Sequence, residues 1–356
     1  MYDLSGLGWS DPFERAFQHH RELGHFPGRI ALEHRGSYKL YCEHGELTAR
    51  VRGKLRFQSE GAADFPAVGD WVALSCIEDS VSAQIEAVLP RQSKFSRKVS
   101  GANTEEQVVA ANVDTVFIVQ GLDHDFNLRR LERYLVSAFE SNATPVVILS
   151  KADLCEDVND KLSGAESVAP GTPVHAISSI SGQGLDALQQ YVLPGRTVAF
   201  LGSSGAGKST LINRIVGEEI QKTAAVREHD SRGRHTTTNR ELIVLKGGGL
   251  LIDTPGMREL QLWDTGGSLG EAFSDVATIA SSCYFTNCRH QNEPGCAVQA
   301  ALANGTLDAA RYESYVKLER ELEYLDSRMD ERLNLKRKNR EKKIHRAYRM
   351  IKNRRT

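Results

Sequence analysis

The sequence predicts a multidomain chain with three folded parts. These are an N-terminal OB-type β-barrel, a central α/β domain built round a phosphate loop, and a C-terminal zinc-binding domain with a helical basic tail. Three observations carry the prediction. Short alternating segments crowd residues 29–89, an apolar strand runs into a glycine-rich loop and a helix over residues 197–217, and Cys283, Cys288, His290 and Cys296 fall close together. The predicted limits are 1–28 for an N-terminal lead, 29–98 for the barrel, 99–265 for the central domain, 266–325 for the zinc-binding domain and 326–356 for the tail.

Length and composition set the outer bounds. A chain of 356 residues with 40% apolar content has room for two or three cores. No apolar run is long enough to span a bilayer, so no membrane role is expected. Met1 to Arg15 has no signal-peptide character, and six cysteines are too few and too unevenly placed for a disulfide framework, which together predict a cytoplasmic protein. The net charge of −1 conceals an asymmetry. Residues 332–356 hold twelve Lys and Arg against one acid, Glu341, for a net +11. The remaining 331 residues hold 33 basic and 45 acidic side chains, for −12. A basic tail on an acidic body predicts a polyanionic partner.

Residues 1–28 have no clear period and are expected to pack loosely. From Arg29 onward the pattern alternates. The segments R-I-A-L-E-H, Y-K-L-Y-C and L-T-A-R-V-R-G-K read as a meander broken at Gly36 and His44-Gly45. Gly69 to Leu74 and Ala83 to Leu89 add two strands, and five short strands suit a small closed barrel of the OB type. Such barrels bind RNA through basic and aromatic faces, for which Arg50, Arg52, Lys54, Arg56 and Phe57 are candidates; a solvated strand edge is the other reading. Pro90 to Lys98 is basic and irregular and reads as a linker or contact loop.

In the central domain, Thr115 to Gln120 reads as a buried strand, Leu128 to Glu140 as an amphipathic helix and Pro145 to Leu149 as another buried strand. The alternation implies a parallel sheet. The second strand ends in Ser150, Lys151, Ala152 and Asp153. This S-K-A-D resembles the N-K-x-D motif of GTPases, in which the Asp accepts two hydrogen bonds from guanine and the Lys stem packs on the base. Ser150 replaces the usual Asn, and a hydroxyl is a smaller handle for bracing the loop. Val174 to Ser178, with Ser179 and Ile180, resembles the second base-side loop, although its residues are generic.

The phosphate loop follows. Gly202, Ser203, Ser204, Gly205, Ala206, Gly207, Lys208, Ser209 and Thr210 match G-x-x-x-x-G-K-[ST]. They lie between the strand Thr197 to Leu201 and a helix over Leu211 to Val216 that stops at Gly217. In this arrangement backbone N–H groups converge on phosphate oxygens, Lys208 reaches the β- and γ-phosphates, and Ser209 ligates magnesium. Lys222 to Asp230 has neither period and leads into G-R-H-T-T-T, where a switch threonine would ligate magnesium; Thr237 is the first choice and Thr236 the alternate. The strands Glu241 to Leu245 and Leu250 to Ile252 come next. The second ends in D-T-P-G, where Asp253 would hold the ion through water and the Gly256 N–H would face the γ-phosphate.

The base motif precedes the phosphate and magnesium motifs, the reverse of the ordinary order. Joining the old termini and opening new ones gives the same fold, so the prediction is a circularly permuted P-loop GTPase. The position after D-x-x-G, where Ras-like enzymes carry Gln, is Met257, which cannot orient water. His235 is the candidate to complete catalysis with Lys208 and Thr237, and Arg234 ranks behind it.

Cys283, Cys288, His290 and Cys296 form C-x4-C-x-H-x5-C, a ligand set for one structural zinc ion. Cys42, Cys76 and Cys155 are scattered and read as packing residues. Residues 307–333 read as a helix with Tyr312, Tyr315, Leu318, Leu322 and Leu325 on one stripe, which continues into the basic tail as a helix or an arm.

With these motifs in place, the chain resembles the RsgA (YjeQ) family of circularly permuted GTPases of bacterial small-ribosomal-subunit assembly. The resemblance runs from about Arg29 to Leu325. It includes G-D-W-V (Gly69 to Val72), L-P-R with the following S-R-K, A-A-N-V-D (Ala110 to Asp114), L-R-R-L-E-R-Y-L (Leu128 to Leu135), G-R-H-T-T, D-T-P-G-M-R-E-L and the zinc cluster. It departs from the family at Ser150 and in the long basic tail. The resemblance implies GTP and GDP as ligands, magnesium, one structural zinc, and a monomer that binds the small ribosomal subunit and its rRNA. It also implies GTP hydrolysis that the subunit stimulates, with a late maturation or checkpoint role. An RNA-binding scaffold that uses GTP as a structural ligand, and an ATP-dependent phosphotransferase, are the competing readings.

Overall fold

A computed structural model of the chain describes residues 2–34, 36–76, 82–98, 106–217, 240–253 and 267–327. The chain opens with α1 (Asp11–Glu22), which buries Phe13 and Phe17. Trp9 meets Phe17 and Trp71 edge-on, with ring centroids 5.6 and 4.7 Å away. The lead is therefore packed, contrary to the sequence expectation. Its signal was short: two Phe four residues apart on one helical face, behind a Pro in the first turn that favours helix initiation.

The barrel strands are β1 (Phe26–His34), β2 (Ser37–Cys42) and β3 (Gly45–Val51), then, after α2 (Gly53–Gln58), β4 (Trp71–Cys76) and β5 (Ser82–Val88). Their order is β1-β2-β3-β5-β4, with β4 returning to pair with β1, and β3 runs parallel to β5. This is a closed five-stranded OB barrel. Ile30, Leu40, Val72, Leu74 and Ile85 fill it. Lys54, Arg56 and Phe57 do not continue β3; they lie on α2.

Pro90 to Lys98 is not simply a linker. Its second half is β6 (Lys94–Lys98), which pairs antiparallel with β7 (Glu106–Ala111). Phe95 is its one buried large apolar side chain, too little to make an alternation visible in sequence. Arg91, just before it, grips Asp70 with two hydrogen bonds, Nε to Oδ1 at 2.8 Å and Nη2 to Oδ2 at 2.7 Å. The G-D-W-V and L-P-R motifs thus meet in one ion pair.

The central sheet contains β8 (Thr115–Gly121), β9 (Thr144–Ser150), β10 (Val174–Ala176), β11 (Thr197–Leu201), β12 (Glu241–Val244) and β13 (Leu250–Asp253). The order is β10-β9-β8-β11-β13-β12, parallel except for β12. Helices α3 (Leu128–Glu140), α4 (Val158–Val168) and α5 (Lys208–Val216) cover it. Residues on β8 alternate between the two faces. Val116 and Ile118 join Leu131 and Leu135 of α3, whereas Phe117 and Val119 join Leu211 and Ile212 of α5. Burial on both faces explains the unbroken apolar strands in the sequence.

β1 joins the two sheets. Its Leu32 pairs with Glu241 of β12. Arg29, on the same strand, is almost wholly buried. It donates from Nε to Gly69 O at 3.2 Å and from Nη2 to Asn112 O and Thr197 Oγ1, both at 2.9 Å, and its Nη1 donates to Leu7 O. Burial lowers its pKa to about 10.

The C-terminal part comprises α6 (Ser268–Ala272), α7 (Ser274–Ala280), α8 (Ala297–Ala303) and a helix over residues 309–327, here α9. Arg311 of α9 bonds Asp275 of α7 at 2.7 and 2.8 Å and Glu132 of α3 at 3.0 Å, and Arg133 forks onto Glu321 with two contacts of 2.6 Å. Among the described residues no helix is long and apolar enough to cross a membrane.

The packing of α1 can be tested directly. Phe17→Ala should cost about 3–5 kcal/mol of stability by cavity formation. Denaturant unfolding of the two proteins measures this, and a negligible change would show that the lead carries no core.

Candidate nucleotide and metal sites

The candidate site lies where the parallel strands end. In a doubly wound sheet, loops at the carboxyl edge gather at the switch in strand order, and ligands bind there. Three such loops converge here: the one after β11, which is the phosphate loop, the S-K-A-D loop after β9, and the loop after β10.

The phosphate loop curls because glycine allows it. Gly202 has φ 150°, and a Cβ there would stand 2.2 Å from the carbonyl oxygen of Val119. Gly207 caps α5 at φ 91°, so the N–H groups of the first helical turn face the loop. Lys208 at the head of α5 donates from Nζ to Gly202 O at 2.7 Å and to Ser203 O. Ser209 and Thr210 are half-buried in the same turn.

The S-K-A-D loop touches the phosphate loop. Ser150 is buried, and its hydroxyl lies 2.5 Å from Ala206 O and 3.2 Å from Gln120 O, with one proton to donate between them. A serine therefore does reach across to brace the phosphate loop. Lys151 adopts a left-handed φ of 61° and places Nζ 2.5 Å from Asp123. Ala152 N–H donates to Ile177 O at 3.0 Å, which ties this loop to the one after β10, and Asp153 is exposed beside it.

Asp253 ends β13, whose Ile252 is level with Ala199 of β11. Burial pushes its carboxyl up to about 6; nearby Lys208 opposes the shift and Glu241 adds to it. Gly256, His235 and Thr237, with Arg234, Thr236 and Met257, lie outside the described residues, as does the basic tail.

The second site lies between α7 and α8. The ligand atoms of Cys283, Cys288, His290 and Cys296 all fall within 4.8 Å of one another. Cys283 Sγ and Cys296 Sγ are 3.9 Å apart, and each is 3.5 Å from His290 Nδ1. A tetrahedron with Zn–S near 2.3 Å and Zn–N near 2.0–2.1 Å has edges of about 3.8 and 3.5 Å, so the four residues fit zinc. His290 is held at φ 56°, and Gln299 N–H points at Cys296 Sγ from 3.4 Å.

Comparison with known proteins is decisive for the family. The RsgA GTPase family model matches residues 88–263. The "Small ribosomal subunit biogenesis GTPase RsgA" of Opitutus terrae is 48% identical over 355 residues, covering 97% of each chain. The chain belongs to the RsgA GTPase family. Another relative, "RsgA 2" of Lactiplantibacillus plantarum, is 49% identical over 320 residues, 89% of this chain and 90% of that one. Among solved structures, YjeQ from Thermotoga maritima superposes with a TM-score of 0.64 at 29% identity, covering 84% of this chain and 98% of that one. YloQ, titled a circularly permuted GTPase, gives 0.60 at 25% identity, covering 86% and 97%.

Within this RsgA-type framework, sequence reading passed over the loop after β8. Asp123 pairs with Lys151, while Asp125 accepts from Ser203 Oγ and pairs with Arg130 at 2.6 Å. The signal was available: D-H-D directly after a buried strand must sit at the same carboxyl edge as the phosphate loop.

The metal site gives a direct test. Purified protein should contain about one zinc per chain. Cys296→Ser should lower that content and destabilise the C-terminal part more than the central sheet; elemental analysis finding no zinc in the parent protein would reject the site.

Proposed function

We propose that this chain is a GTPase that acts on the small ribosomal subunit. It binds GTP, hydrolyses it to GDP and phosphate, and couples hydrolysis to late maturation of the subunit and to its own release. The observation that carries this reading is the convergence of Ser150, Gly207, Lys208 and Asp253 at one sheet edge, in a chain nearly half identical to a small-subunit biogenesis GTPase. The proposed setting is the cytoplasm, with the chain acting as a monomer and with rRNA as the polyanion met by the basic tail and the barrel.

The residue roles follow from charge and geometry. The loop from Gly202 to Thr210 cradles the phosphates, and Lys208 trades its loop carbonyls for phosphate oxygens. Asp153 reads the guanine edge, Lys151 lies against the base plane with Asp123 fixing its ammonium, and Ser150 holds the two loops in register. Ser209, Thr237 and Asp253 are hard oxygen donors suited to magnesium, which when bound neutralises phosphate charge. A cation would favour ionised Asp253, offsetting the burial that raises its pKa to about 6. Gly256 contributes an N–H toward the γ-phosphate. Zinc supplies a structural cross-link through Cys283, Cys288, His290 and Cys296.

Catalysis lacks the usual water-orienting Gln, since Met257 stands in its place. His235 fills that role in this reading, on a segment that the subunit brings into position.

Two experiments address this. Asp153→Asn should lose preference for GDP over ADP in competition binding, because an amide cannot accept both guanine hydrogen bonds; an unchanged preference would remove S-K-A-D as the base reader. GTP turnover should be slow for the protein alone and rise by orders of magnitude with added small subunits, as ordering a catalytic set allows. His235→Ala should abolish most of that rise while keeping nucleotide affinity. Turnover that ignores the subunit would instead support GTP as a structural ligand on an RNA scaffold.

A further inference from the structure

The far end of the helix that follows the phosphate loop is joined to the loop after β10 by a contact that no motif records. Arg214 lies in the last turn of α5, the helix that begins at Lys208. Its Nε donates to Ser179 O at 2.7 Å, and its Nη2 donates to Ile180 O at 2.9 Å. The planar guanidinium spans two consecutive carbonyls, a geometry that a point-charge ammonium does not reproduce. Helical side chains lean back toward the N-terminus, so the contact draws the β10 loop along α5 toward the phosphate loop.

The loop held in this way has other constraints. Ile177 O accepts from Ala152 N–H of the S-K-A-D loop at 3.0 Å. Ser178 is buried, Ser181 N–H donates to its Oγ at 3.1 Å, and Gly182 N–H donates to its carbonyl at 2.9 Å. The backbone is therefore pinned on both sides of Ile180, whose side chain is nonetheless 74% exposed. An apolar side chain on a rigid turn, in a loop bonded at Ile177 to the S-K-A-D loop, offers a surface that a flat purine would cover.

We propose that Arg214 is a positioning residue for the guanine base. Through α5, one rigid helix about 1.5 Å long per residue fixes the separation between the phosphate subsite at its head and the base-side loop at Ser179 and Ile180. The proposal rests on the GTPase reading above and deepens it. Arg214 touches neither phosphate nor base; it sets the spacing that a guanine nucleotide must match.

The test uses the full-length protein with magnesium and three probes: GDP, ADP and inorganic pyrophosphate, which has no base. Arg214→Ala should raise the GDP dissociation constant roughly tenfold, a 1.4 kcal/mol change, and leave that for pyrophosphate within about twofold. Equal losses for both would mean that Arg214 merely supports α5 and the phosphate loop, which would overturn the proposal. No loss for GDP would also overturn it. Asp153→Asn, measured in parallel, separates the two readings. If that variant keeps its GDP-over-ADP preference, the base-side reading itself fails. If it loses the preference while Arg214→Ala binds GDP normally, only the role of Arg214 fails.

Discussion

The buried guanidinium of Arg29 is the joint on which the architecture depends. A charge taken out of water is costly unless its donors are satisfied. Here the acceptors come from four places: Leu7 in the lead, Gly69 before β4, Asn112 between β7 and β8, and Thr197 at the start of β11. Among the described residues no carboxylate bonds it, and burial, opposed by the more distant Asp114 and Asp70, lowers its pKa to about 10, still far above neutrality. The charge is held by carbonyl and hydroxyl dipoles that arrive only when barrel and central sheet are docked. Loss of any one contributor would leave a buried donor without a partner, and such groups are expensive to orphan. The barrel and the GTPase-type sheet are therefore folded into one piece of structure.

The same logic runs in the N-terminal half of α3. Glu132 is fully buried and accepts from Arg129 and Arg311, while Arg311 also grips Asp275. Arg133 adds a fork onto Glu321. The short motif L-R-R-L-E-R-Y-L is thus a docking face for the zinc-bearing C-terminal part. Asp125, two residues before α3's N-cap, reaches the phosphate loop through Ser203. The N-terminal half of one helix thus lies between the proposed nucleotide site, reached through Asp125 and Ser203, and the C-terminal helices, reached through Glu132 and Arg133.

Much of this was legible in the sequence because it is local. The helix α3 announces itself by an Asn127 cap, whose side chain accepts from Arg130 N–H, and by a strong apolar stripe. β11 and the stop of α5 at Gly217 follow from an apolar run and a left-handed glycine. The zinc ligands are close in sequence because one loop, between α7 and α8, supplies all four. What stayed hidden needs partners distant in the chain. Phe13 and Phe17 look isolated until Trp71 and Trp9 come alongside, and β6 has one buried Phe that makes sense only against β7. Asp123 is placed at the site edge by its position after β8, but that position does not reveal its partner Lys151, and Arg214 belongs to no motif. Which partners they meet depends on which loops the parallel strands bring together, and tertiary topology decides that.

The short contact of Leu32 with Glu241 also settles how the sheet ends. Strand order runs unbroken from β10 through β12 and β1 to β4, and β4 closes back on β1. Without the barrel, β12 would be a lateral boundary with unpaired N–H and C=O groups, a template for another chain to join. With it, β12 is joined to β1 at Glu241, and β10, at the opposite margin of the large sheet among the described residues, is three residues long. A margin that short offers an incoming strand little to pair with. The barrel thus occupies part of an edge that would otherwise be open to edge-to-edge association.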